Sequence, residues 1–122
     1  MAYDEFLADR IRRVLKDKQI YFSELKMMGG LCFKVDNKML CYININKDYG
    51  DSLIMARIGN IVYENQLKKP ECLPMNFTGR PMKGYIYVTP DGFDTEANLE
   101  YWIQLCLNFN PLAKASKPKR KK

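Results

Sequence analysis

The chain has 122 residues, 47% of them hydrophobic and 28% charged, which suits one globular domain with its own core. No apolar run approaches the roughly 18 residues that cross a bilayer, and Met1-Ala2-Tyr3-Asp4-Glu5 lacks the basic and apolar regions of a secretory signal, so a cytoplasmic protein without a membrane span is expected. The formal charge of +6 sits at the end: residues 114–122 hold Lys114, Lys117, Lys119, Arg120, Lys121 and Lys122 and no acid, and removing those six cations leaves a neutral 1–113 with 14 basic and 14 acidic residues.

Residues 4–18 read as a helix. Phe6, Leu7, Ile11, Val14 and Leu15 recur at helical spacing, Asp4 is a suitable N-cap, and Glu5 suits the positive first turn. The run Arg10-Ile11-Arg12-Arg13 has two readings: a nucleic-acid contact, or a solvated face balanced by Asp4, Glu5, Asp9 and Asp17. Residues 20–26 form a connector with room for a short strand. No phosphate-loop pattern surrounds Gly29-Gly30, which reads as a bend or bulge entering a strand.

Residues 31–35 and 38–45 form the clearest hairpin, with Asp36-Asn37 in a type I′ turn. A two-residue loop then pairs Val35 with Lys38, Lys34 with Met39, Phe33 with Leu40, Cys32 with Cys41 and Leu31 with Tyr42. That register places Leu31, Phe33, Val35, Leu40 and Tyr42 on the core side. It places Cys32, Met39, Cys41, Ile43 and Ile45 on the other side, which is apolar enough to want a cover.

Residues 53–58 alternate as a third strand, and Asn60 caps a short helix over 60–67 that Lys68-Lys69-Pro70 closes. An extended piece over 73–77 carries Pro74, an edge or irregular feature. Residues 78–88 pass from a turn shaped by Gly79, Pro81 and Gly84 into the strand Tyr85-Ile86-Tyr87-Val88. Thr89-Pro90-Asp91-Gly92 is a turn signal. Asp94 caps the last helix, with Glu96 in its first turn. Leu99, Trp102, Ile103, Cys106 and Phe109 form its stripe, Leu105 widens it, and Pro111 ends it. Trp102 reads as a core anchor. Residues 114–122 carry no apolar pattern and are expected to be a disordered basic tail.

Two of these stretches carry a family resemblance. Gly79-Arg80-Pro81-Met82-Lys83-Gly84-Tyr85-Ile86-Tyr87-Val88 and, upstream, Lys26-Met27-Met28-Gly29-Gly30-Leu31-Cys32-Phe33 resemble the signature of the TfoX N-terminal domain family. That family usually has Phe where this chain has Met28, and often Asn-Gly where this chain has Asp36-Asn37. The resemblance runs from about Tyr3 to Pro111. It implies a regulatory role like that of the bacterial competence regulators, in which a second domain follows; this chain looks like the stand-alone form. The family's similarity to the secretion-chaperone-like fold agrees with the fold class read from the pattern. That class is α+β: an antiparallel sheet of about five strands with helices packed on one face, in the order α-β-β-β-α-β-β-α, over 1–113.

Chemistry is sparse. There is no histidine to serve as general base, carboxylates are dispersed, and no serine sits in a G-x-S-x-G elbow. Cys32, Cys41, Cys72 and Cys106 contain no C-x-x-C spacing, so free thiols, no metal and no cofactor are expected. Arg80 and Lys83, on a loop fixed by Pro81 and two glycines, are the candidates for holding a carboxylate, a phosphate or a partner, with Arg57 and Lys26 as neighbours. The plainer alternative is that these cations pair with local acids. The expected function is a non-enzymatic regulatory or protein-interaction module, with a homodimer through the second sheet face. The alternatives are a nucleic-acid-associated protein using Lys114, Lys117, Lys119, Arg120, Lys121 and Lys122, and an enzyme or binder acting on a small anion at the Arg80–Lys83 loop.

Overall fold

In a computed structural model that describes residues 3–46, 49–74 and 83–113, the first helix, α1 (Glu5–Asp17), starts where the Asp4 carboxylate accepts a hydrogen bond from the Phe6 N–H at 2.9 Å. Its buried stripe is Leu7, Ala8, Ile11, Val14 and Leu15. Phe6, expected on that stripe, is 73% exposed, because one residue turns the helix by about 100° and carries Phe6 off the Leu7–Ile11 face.

Among the described residues six antiparallel strands follow: β1 (Ser23–Met27), β2 (Gly30–Val35), β3 (Lys38–Asn46), β4 (Asp51–Arg57), β5 (Cys72–Pro74) and β6 (Tyr85–Val88). They lie in the order β1-β2-β3-β4-β6-β5. Two more helices, α2 (Asn60–Leu67) and α3 (Glu96–Phe109), complete the α+β fold. The expectation of about five strands falls one short. The connector over 20–26 is mostly strand, because Met28 and Gly29, at φ 49° and 77°, make a tight turn that folds β1 back on β2. The element order is therefore α-β-β-β-β-α-β-β-α.

The hairpin turn at Asp36-Asn37 has φ of 54° and 64°, as a type I′ turn requires. Val35 faces Lys38 and Lys34 faces Met39, as the loop length dictates. The register then shifts between Phe33 and Lys34, so that Phe33 faces Cys41, Cys32 faces Tyr42 and Leu31 faces Ile43. Leu40 is the extra residue of a β-bulge, and an extra residue inverts the facing of everything beyond it. The expected Cys32–Cys41 and Leu31–Tyr42 pairs are thereby corrected. Cys41 and Ile43 lie in the main core and Tyr42 on the opposite face.

Two helix starts also differ by one residue. Gly59, at φ 85°, precedes α2 in place of Asn60. Thr95, not Asp94, caps α3, with its hydroxyl oxygen accepting from the Asn98 N–H at 3.1 Å. Trp102 is the expected anchor: it is buried, and its Nε1–H donates to the Gly92 carbonyl at 3.0 Å.

The helices pack on one sheet face. Their buried residues join Leu31, Phe33, Ile43, Ile54, Ile86 and Val88 in one core. The other face holds a smaller cluster of Cys32, Tyr42, Leu53, Met55 and Tyr87, flanked by Met39, Leu73 and Tyr85, and every member comes from a strand. No described helix is long and apolar enough to cross a membrane.

Candidate functional site

The sheet face opposite the described helices carries a groove of about 220 Å³ lined by Met27, Met28, Met39, Met55, Tyr42 and Asn44. The strands place each of them. Met39, Tyr42 and Asn44 share a face of β3, Met55 pairs with Tyr42 across β4, and Met27 and Met28 come from the end of β1 and its turn. The Tyr42 hydroxyl donates to the carbonyl oxygens of Met27 at 3.1 Å and Met28 at 3.0 Å, tying the turn to β3. Burial raises the Tyr42 phenol above its usual pKa, so it stays a donor.

Methionine suits such a lining. Its unbranched, polarisable thioether adapts to varied apolar surfaces and makes favourable contacts with aromatic rings. One polar feature breaks the pattern: Asn44 Oδ1 is buried with no hydrogen-bond partner. A buried acceptor without a donor costs free energy, which a ligand N–H would recover. The groove therefore favours an apolar body carrying one N–H. Sequence alone hides it, because a register without the bulge turns Tyr42 to the core face. The available signal was the Met27-Met28 pair together with Met39 and Met55.

A second concavity, about 160 Å³, brings together two of the expected cations, Arg57 at the end of β4 and Lys83 before β6. Gly59 and Gly84, at φ of 85° and 92°, shape its floor, and the Gly84 carbonyl accepts from the Ile58 and Gly59 N–H groups at 2.9 and 3.1 Å. The Arg57 guanidinium stands between two rings, 5.6 Å from the Tyr85 centroid and 5.7 Å from that of Phe109. It also donates to the Met39 carbonyl at 3.5 Å. Aromatic stacking orients its plane, and Lys83 is exposed beside it. This pair can hold one carboxylate or phosphate.

Among the described residues, Lys26 does not join it. Lys26 lies on β1, with β2 and β3 between it and β4. Arg80 and the tail residues Lys114, Lys117, Lys119, Arg120, Lys121 and Lys122 lie outside the described residues. The Arg10–Arg13 run is largely balanced by acids. Arg10 pairs with Glu96 at 2.9 Å, and Arg12 pairs with Glu5, Asp9 and Glu24.

The four cysteines are free and buried. Burial raises every one of their pKa values, to about 12 for Cys72 and Cys106. A protonated, enclosed thiol is a poor nucleophile. Comparison with known proteins gives no matching family model, no matching curated protein and no matching solved structure.

Proposed function

We propose that the protein is a non-enzymatic protein-interaction module of the regulatory kind implied by the TfoX resemblance, and that it takes its partner in the methionine-lined groove. The observation that carries this reading is the groove's composition: four methionines and a tyrosine around one unpaired amide oxygen, on a sheet face that carries no helix among the described residues. A tryptophan side chain fits that chemistry, since its rings meet sulfur and its indole N–H meets Asn44. The partner is then a protein presenting an exposed tryptophan or a similar apolar residue with a donor.

A second reading rests on the cavity shared by Arg57 and Lys83, which suits a small anion. The two readings respond oppositely to salt and substitution. Met39→Glu should abolish partner capture in molar salt, whereas Lys83→Gln should leave it intact. Capture that disappears with salt and with Lys83→Gln, but survives Met39→Glu, would transfer the function to the cationic cavity.

A further inference from the structure

β1 is an open sheet edge. All five of its residues are exposed, and among the described residues no strand lies beyond it in the sheet. The opposite edge strand, β5, carries Pro74, which lacks the N–H a ladder needs.

The turn at Met28-Gly29 fixes which groups β1 turns outward. A two-residue loop with both φ positive closes on a hydrogen-bonded pair, here Met27 and Gly30. Counting back along the antiparallel ladder, Leu25 and Ser23 also direct their N–H and C=O toward β2. Glu24 and Lys26 direct theirs away from the sheet. The side chains of Glu24 and Lys26, opposite Phe33 and Leu31, stand on the helix-bearing face, and Leu25, opposite Cys32, stands on the other.

Charge is unbalanced along this edge. Glu24 accepts from Arg12 through both carboxylate oxygens, at 2.6 and 2.9 Å, and Arg12 also bonds Glu5 and Asp9. One guanidinium thus serves three carboxylates. Lys26, one pleat along on the same face, makes no ion pair among the described residues.

We propose that β1 pairs antiparallel with β1 of a second copy of this chain, about a two-fold axis through Leu25, joining two six-stranded sheets into one. In that register Glu24 lies opposite the partner's Lys26, and Lys26 opposite the partner's Glu24. The ladder bonds come from the backbone groups of Glu24 and Lys26, the ones left facing outward. The two Leu25 side chains, each 48% exposed in the single chain, meet on the other face. The partner's Lys26 brings the cation that the acid cluster around Arg12 lacks.

The nearest registers with the same hydrogen-bond parity put Glu24 opposite Glu24 or Lys26 opposite Lys26, and like charges directly opposed destabilise a pair. The charge pattern therefore selects one self-complementary arrangement, as an isologous interface requires. This inference is independent of the groove reading.

Sedimentation equilibrium of the full chain tests it. The wild type should show a reversible monomer–dimer equilibrium. Glu24→Lys and Lys26→Glu should each weaken self-association by about tenfold or more, since each turns two opposed pairs into like charges. Lys26→Glu is the cleaner variant, because it breaks no ion pair within the chain. An equimolar mixture of the two variants should associate again, as a heterodimer with every opposed pair complementary. A wild type that stays monomeric at every concentration would overturn the proposal. So would single variants that dimerise like wild type, or a mixture that associates no better than either variant alone.

Discussion

A Cβ placed on Gly30 would stand 2.5 Å from the Tyr42 hydroxyl oxygen. Gly30 opens β2, and its lack of a side chain lets the Tyr42 ring lie over the strand end and reach the carbonyls of Met27 and Met28. The same Cβ would also collide with the Ile43 carbonyl, which belongs to the backbone and cannot swing aside. Gly30→Ala should therefore destabilise the fold by about 1–3 kcal/mol and displace the wall of the groove. Urea unfolding followed by the fluorescence of Trp102 measures the first effect; wild-type stability would show that the close approach is not required.

The thiols give a pH dependence with a definite sign. Each cysteine has its pKa raised in the fold by burial, while an unfolded thiol ionises near about 8.5. The stability from keeping these thiols protonated is fully present below the unfolded value. It is lost as pH rises toward the folded value, at up to about 1.4 kcal/mol per pH unit for each thiol. Denaturation under reducing conditions should become markedly easier between pH 8 and pH 10, as an order-of-magnitude window set by those values. In the same range a thiol reagent should modify the folded chain only at its opening rate. Four rapidly titrating thiols in the native protein would contradict this.

The charge distribution bears on nucleic acid. Residues 114–122 carry six cations and the entire net charge, and a cationic segment gains polyanion affinity by releasing counterions. Removing them should leave the melting temperature nearly unchanged and abolish most binding to mixed-sequence DNA at low salt. For full engagement of six cations the log–log salt slope of the intact chain would reach about −5. Equal affinity with and without the tail would move any nucleic-acid contact to the body, where Arg57 and Lys83 are the first residues to replace.

Much of the fold was legible in the sequence because periodicity reports burial. The α1 stripe, the Asp36-Asn37 turn and the Trp102 anchor follow from spacing and turn chemistry alone. What spacing could not report was the bulge at Leu40. A single extra residue is invisible to a pattern that counts from the turn, yet it moves Cys41 and Ile43 into the core and sends Tyr42 to the opposite face. The groove was hidden for that reason. Spacing alone leaves open which cations meet: Arg57 and Lys83 line one concavity, whereas Lys26 sits on β1, with β2 and β3 between it and β4.

The claim that the methionine groove is the binding surface can be read directly from the methionine methyl groups. With 13C-methyl methionine in the full chain, a titration with N-acetyl-tryptophanamide should shift the Met27, Met28, Met39 and Met55 signals together and saturably, and Asn44→Leu should weaken that response. Methyl signals of the groove that stay fixed throughout the titration would contradict it.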